Sequence, residues 1–283
     1  MIRDGTLEPC NQSKWALASF PIPKKDESIR FISDFWELNK VIKRKPFPLP
    51  QIQDVLNRRG KYKYFTKIDI RMCFYCFKLT EEAKRLTTTM HADRSPLEYN
   101  CLPMGLKCLP DIVQSTTEKI LHGLDCVIYI NNIRIWSNGL YLHHLAQVMH
   151  VLARLHGAGL KTNPLKCEWA VEQTDFLGYW MTPEHCQPMK KKVDALLKMS
   201  RPQNKKQLRS FLGGVNYYKT MWPRRTHVLA PLNELTGDKP FKWEQVHEDA
   251  FNEMKALLAH DCLNAYPDLN APFEIYTDAS DYQ

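Results

Sequence analysis

Val127-Ile128-Tyr129-Ile130-Asn131-Asn132-Ile133-Arg134-Ile135-Trp136 is the stretch that decides the fold of this chain. Apolar, β-prone residues lead into the asparagine pair and out of it again, the pattern of two short strands joined by a tight turn. Asparagine tolerates positive φ and suits a primed hairpin turn, so the pair is expected at the tip. Taken alone, the two asparagines are turn residues and carry no chemistry.

Neighbouring blocks change that reading. Upstream, Tyr64-Phe65-Thr66-Lys67-Ile68-Asp69-Ile70 is a β-rich run ending on a lone carboxylate, with the aromatic Phe74 a little further on. Arg30-Phe31-Ile32-Ser33-Asp34-Phe35 with Leu38-Asn39 follows a basic Lys24-Lys25-Asp26. Leu102-Pro103-Met104-Gly105-Leu106-Lys107 precedes a helix opening near Pro110 and Gln114. Downstream stand Gly159-Leu160-Lys161, Asn163-Pro164, Lys166-Cys167, Phe176-Leu177-Gly178-Tyr179, Leu208-Arg209-Ser210-Phe211-Leu212-Gly213 and Asn216-Tyr217-Tyr218. Ala230-Pro231-Leu232 and Tyr276-Thr277-Asp278-Ala279-Ser280 complete the series.

Taken in chain order, and over nearly the whole chain, these blocks resemble the reverse transcriptases of gypsy-type LTR retrotransposons. The resemblance implies an α+β, right-hand polymerase fold. Residues 1–60 would be an N-terminally truncated fingers subdomain and 61–182 the palm with interleaved fingers strands. Residues 183–240 would supply thumb and connection helices. Residues 241–283 would be a linker helix and the first strand of a truncated ribonuclease H-like domain, too little for ribonuclease H activity.

The same resemblance assigns the site. Asp69, Asn131 and Asn132 stand at the catalytic aspartate positions, and a Tyr-x-Asp-Asp motif has become Tyr129-Ile130-Asn131-Asn132. Lys25, Arg30, Ile70, Phe74, Met104 and Gly105 would form the nucleotide pocket, with Phe74 as the gate against a ribose 2′-hydroxyl. Lys166, Gly178 and Tyr179 would hold the primer and template. Two divalent ions activate the primer hydroxyl and clamp the triphosphate in such chemistry, and magnesium favours ionised carboxylates. Only Asp69 keeps its charge here, so binding of Mg2+ or Mn2+ is expected to be weak. RNA/DNA template-primer remains the expected partner, with deoxynucleoside triphosphates if activity persists. An active polymerase and a noncatalytic nucleic-acid-binding module stay open as alternatives. Met104 replaces an aromatic, Cys73 a glycine, and Arg134 occupies an apolar strand position of the family. A further alternative sets Arg134 on the strand face of Asn132, where it would pair with Asp69 in lieu of metal.

Composition agrees with these expectations. The 283 residues suffice for a large core and two or three subdomains. Lys plus Arg number 39 against 31 for Asp plus Glu, a net charge of +8 that suits a polyanionic partner. No apolar run reaches membrane-spanning length, and the start lacks a signal peptide's apolar region, so an intracellular, soluble protein is expected. Nine cysteines follow no disulfide or zinc pattern. Cys73-Phe74-Tyr75-Cys76 is expected as two buried thiols in a strand. His143, His144, His150 and His156 are expected on a solvated helix side. Helices are expected near 51–58, 111–122, 140–156 and 244–258, with Leu208, Phe211, Leu212, Val215 and Tyr218 forming one packing face.

Overall fold

The structure, a computed structural model, describes residues 1–10, 13, 15–23, 27, 29–57, 62–90, 96–222, 225–238, 240–260, 264–265 and 272. Its elements run β1 (Leu7–Pro9), β2 (Leu17–Pro23), β3 (Ile29–Ser33), α1 (Trp36–Val41), α2 (Ile52–Asn57), β4 (Tyr64–Asp69), α3 (Glu81–Leu86), β5 (Thr89–Met90) and β6 (Leu97–Tyr99). Then follow α4 (Leu109–Ile120), β7 (Val127–Tyr129), β8 (Asn132–Ser137), α5 (Tyr141–Gly157), β9 (Glu168–Val171), β10 (Thr174–Phe176), β11 (Tyr179–Met181) and β12 (His185–Pro188). Helices α6 (Lys190–Leu197), α7 (Lys205–Tyr217), α8 (Arg225–Glu234) and α9 (Gln245–Ala259) precede β13 (Asn264–Ala265).

The chain forms two compact units. The first comprises residues 1–51 and 64–171, the second residues 52–63 and 172–283. The first unit centres on an antiparallel sheet of order β7-β8-β4-β9. Alternation along β4 and β8 sends Ile68, Ile133 and Ile135 to one face, where they join Val113 of α4 and Val148, Val151 and Leu155 of α5 in a buried core. Each such aliphatic side chain contributes about 1.5–3 kcal/mol on burial. The register places Lys67 opposite Arg134 and Asp69 opposite Asn132, so these four share the other face. A second sheet, β1-β6-β5-β2-β3, carries its own core of Leu7, Phe35, Leu97, Tyr99, Leu102 and Leu106.

In the second unit, β10-β11-β12-β13 form a sheet, and α7 buries Leu208, Phe211, Leu212 and Val215. Phe211 meets Phe251 of α9 with ring centroids 4.7 Å apart. Helix α9 opens on a capping box in which the Glu244 amide donates to His247 Nδ1 at 2.9 Å.

Three expectations are corrected. Cys73–Cys76 is a 3-10 turn entered through Met72 at φ 48°, not a strand, and only Cys73 of the two is buried. Positive φ in the hairpin falls on Ile130, not on an asparagine. His144 is 1 % exposed, with Nε2 2.8 Å from Thr66 Oγ1 and Nδ1 2.9 Å from Ser137 Oγ. It belongs to the inward stripe of α5 with Val148, Val151 and Leu155. The strand expected at 273–277 lies outside the described residues, as does Lys25. No helix among the described residues is long and apolar enough to cross a membrane.

Candidate active site

Strand β4 delivers Asp69 to the mouth of the β7–β8 hairpin, where neighbouring residues hold its backbone. The Asp69 amide donates to Cys167 Sγ at 3.4 Å and its carbonyl accepts from the Asn163 amide at 2.8 Å. Next along the chain, the Ile70 amide donates to the Asn131 carbonyl at 2.9 Å. The two-residue loop Ile130-Asn131 has φ +56° at its first position, the geometry of a type II′ turn. A β-branched residue there is a backbone outlier costing about 1–3 kcal/mol, which the surroundings must offset.

Inside this frame the side chains form a chain of amides. Asn132 Nδ2 donates to Asn131 Oδ1 at 3.1 Å, and Asn131 Nδ2 donates to Asp69 Oδ2 at 3.1 Å. Partial burial pushes the Asp69 carboxyl above its ordinary range, opposed by the charges of Lys166 and then Lys67. Lys67 also pairs with Glu168 of β9 at 2.6 Å.

Arg134 does not take the alternative place beside Asp69, whose charged neighbours are Lys166 and Lys67. It is 1 % exposed, with its guanidinium carbon 5.4 Å from the Phe65 ring centroid and 5.7 Å from that of Trp136. A planar, weakly hydrated guanidinium is suited to such stacking. Asp69 takes its side-chain hydrogen bond from Asn131 instead.

The expected nucleotide-pocket residues fall into several settings. Gly105 adopts φ +105°, and a Cβ there would lie 3.3 Å from Phe35 Cδ2. Asn39 clamps this loop from both ends, donating to the Gly105 carbonyl and accepting from the Lys107 amide, each at 2.8 Å. Met104 is half-buried in the same loop. Phe74, on the 3-10 turn, packs against both cores of the first unit. The Ile70 side chain is 2 % exposed and lies within the core, leaving its backbone to face the site. Arg30 is exposed on β3, and its charge lowers the Tyr75 hydroxyl against the larger upward effect of burial. Lys166 is exposed beside Asp69.

Gly178 and Tyr179 belong to the second unit. Leu177 at φ +43° and Gly178 at φ +79° form the primed turn joining β10 to β11. Tyr217 and Tyr218 donate their hydroxyls to the Leu177 carbonyl at 2.5 Å and the Gly178 carbonyl at 2.7 Å. Tyr179 is 2 % exposed and supports the turn from within, its hydroxyl donating to the Tyr217 carbonyl at 3.3 Å.

Beyond these, the structure brings forward Asn39 and the buried Gln114, which binds the backbone of the β7–β8 hairpin. Gln114 looks in sequence like one more turn of an amphipathic helix. Its signal would have been a polar residue in the apolar stripe with Val113 and Thr117.

The residues at Asp69, Asn131 and Asn132 do not suit a pair of divalent cations. They provide one carboxylate and two neutral amides already engaged with one another and with that carboxylate. Among the described residues no group of three or more His, Cys, Asp or Glu is arranged to hold a metal.

A sheet backed by two helices, with an acidic strand end beside a hairpin tip, defines the palm of a right-hand polymerase. Residues 22–181 match the family described as reverse transcriptase (RNA-dependent DNA polymerase), and the chain belongs to that family. It is 30% identical over 288 residues to the retrovirus-related Pol polyprotein from transposon 297 of Drosophila melanogaster, covering 99% of this chain and 27% of that one. With the transposon Tf2-7 polyprotein of Schizosaccharomyces pombe it shares 30% over 264 residues, covering 92% and 20%. The chain thus spans about a fifth to a quarter of these relatives. Among solved structures, a foamy viral protease-reverse transcriptase in complex with dsDNA superposes with a TM-score of 0.86 at 21% identity, covering 96% of this chain and 57% of that one. The same viral protein in complex with an RNA/DNA hybrid gives 0.80 at 21%, covering 92% and 36%. The fold is that of these enzymes.

Proposed function

We propose that this chain is the reverse transcriptase region of a gypsy-type LTR-retrotransposon Pol polyprotein. In this reading it still grips an RNA/DNA template-primer but has lost, or all but lost, nucleotide joining. One observation carries the reading: the amides of Asn132 and Asn131 run into Asp69, satisfying a carboxylate that polymerisation would commit to cations. Two unit charges about 4 Å apart interact by roughly 4 kcal/mol at an effective dielectric of 20, and a divalent ion doubles that. A net transition-state loss of only about 4 kcal/mol lowers the rate on the order of a thousandfold.

Fingers (1–60), palm (61–182) and thumb with connection (183–240) are the proposed subdomains, with 241–283 leading toward a ribonuclease H-like domain. Arg30, Phe74, Met104 and Gly105 would line the nucleotide side, and Lys166, Gly178 and Tyr179 the primer side. A net charge of +8 supports retained, salt-dependent nucleic-acid binding, and the proposed location is intracellular.

Primer extension on an RNA template with Mg2+ or Mn2+ tests the proposal, comparing the parent chain with Asn131→Asp/Asn132→Asp. The parent is expected to extend at least about a thousandfold more slowly. Efficient extension by the parent, abolished by Asp69→Ala, would overturn the reading.

A further inference from the structure

Strand β7 is an edge strand, since β8 is its one neighbour in the sheet order. The outward backbone groups of Ile128 and Ile130 therefore lack a strand to pair with. Gln114 fills that place. Its Oε1 accepts from the Ile130 amide at 2.6 Å and its Nε2 donates to the Ile128 carbonyl at 2.9 Å. One side-chain amide thus mimics one link of a missing strand. Nε2 also donates to Glu118 Oε1 at 2.7 Å, one helical turn along α4, which fixes the side-chain rotamer. Gln114 is 0 % exposed, so no water competes for these bonds.

The bonded amide belongs to the hairpin's strained residue. Ile130 sits at φ +56°, and without an acceptor for its N–H the turn has a route to relax by rotating that peptide. The same helix begins at Leu109, just after the loop carrying Met104 and Gly105. Gln114 ties the base of the expected nucleotide pocket to the tip that carries residues 131 and 132.

We propose that Gln114 is the positioning residue of the catalytic turn, holding Ile130 in its left-handed conformation so that residues 131 and 132 face Asp69. The proposal rests on residues 129–132 being the seat of polymerisation, but its bonds are all to backbone. It therefore holds whether Asn or Asp follows Ile130.

Gln114→Met keeps length and volume while removing both backbone bonds. In the full chain, amide hydrogen exchange at Ile130 is expected to quicken by about tenfold or more, with Ile133 and Val148 changed by less than about twofold. Unchanged Ile130 protection overturns the proposal. Should Gln114→Met fail to fold, Gln114→Glu/Glu118→Gln keeps an acceptor for the Ile130 amide without opposing two carboxylates, and should leave Ile130 within about threefold of the parent; a larger acceleration also overturns it. In the Asn131→Asp/Asn132→Asp background, Gln114→Met is expected to lower kcat about a hundredfold with nucleotide KM nearly constant. A loss confined to KM counts against it. If that background proves inactive with Gln114 intact, the proposed function fails, and the exchange measurement still decides the role of Gln114.

Discussion

Asn131 Nδ2 lies 3.1 Å from Asp69 Oδ2, so an attraction occupies the place where two aspartates would repel. A hydrogen bond to a charged group is worth about 1.5–3 kcal/mol, and this one needs no cation. An asparagine at position 131 therefore stabilises the cation-free fold.

Asn131→Asp is accordingly expected to lower unfolding free energy by about 1.5–3 kcal/mol without divalent ions. Adding Mn2+ should recover much of the loss in Asn131→Asp/Asn132→Asp while leaving the parent midpoint in place. Urea unfolding with and without the cation checks this. An equal Mn2+ shift in both chains would refute it.

His144 makes the first unit sensitive to mild acid. Burial chiefly, and neighbouring His143 secondarily, hold its imidazole below the ordinary 6.5. With the folded value depressed, the unfolded chain takes up the proton first. The contribution is whole above pH 6.5 and drains away as pH falls through the lower folded value. The limiting slope is about 1.4 kcal/mol per pH unit. His144→Gln removes this proton uptake and should flatten stability against pH below 6.5, as read by urea midpoints. An unchanged slope would remove His144 from the account.

The β10–β11 turn offers changes of opposite sign. Leu177 carries a positive φ that Asn bears more easily, and Leu177→Asn creates the preferred Asn-Gly pair. A gain of about 0.5–1 kcal/mol is expected. Gly178→Ala meets both φ +79° and Tyr217 Cε1 3.1 Å from the new Cβ. It should cost about 1–3 kcal/mol and weaken template-primer binding. Denaturation and filter binding read both, and a neutral Gly178→Ala would mean the turn is softer than its geometry implies.

Asp111, 3 % exposed, accepts from Arg44 Nε at 2.5 Å, Arg44 Nη2 at 2.9 Å and the Phe47 amide at 3.0 Å. The Arg44 bonds above all hold its carboxyl below the ordinary 3.8. Its stabilisation is full above that value and is lost as pH falls through the depressed one. The stability gap between parent and Asp111→Asn should therefore close as acid is added below pH 3.8. A gap constant with pH would show that Asp111 contributes only its shape.

What could be read in advance was whatever periodicity encodes. Ile68, Ile133 and Ile135 alternate as buried strand residues must, and α9 lies within a residue of its expected span. His144 was readable too, since Val148, Val151 and Leu155 follow at helical intervals, but a polar side chain obscured the stripe. Ile130 was not, because nothing in a β-branched residue announces positive φ; its neighbours impose that conformation. The hydrogen bonds of Gln114 likewise depend on tertiary placement, joining residues that local propensity does not connect. Asp69 meets the hairpin as expected, but its tip is Ile130-Asn131 with Asn132 already opening β8, and the direction of Arg134 needed the Phe65 and Trp136 rings.

Arg134 has a consequence for reversibility. Guanidinium cannot shed its proton, and on a strand its Cα stands about 7 Å from that of Asn132. Two codon changes at 131 and 132 would rebuild a cation site next to a permanent, buried positive charge seated on Phe65 and Trp136. On the proposed reading, that double variant is therefore expected to extend a primer more slowly than one that also carries an apolar residue at 134, because the guanidinium charge opposes cations held nearby.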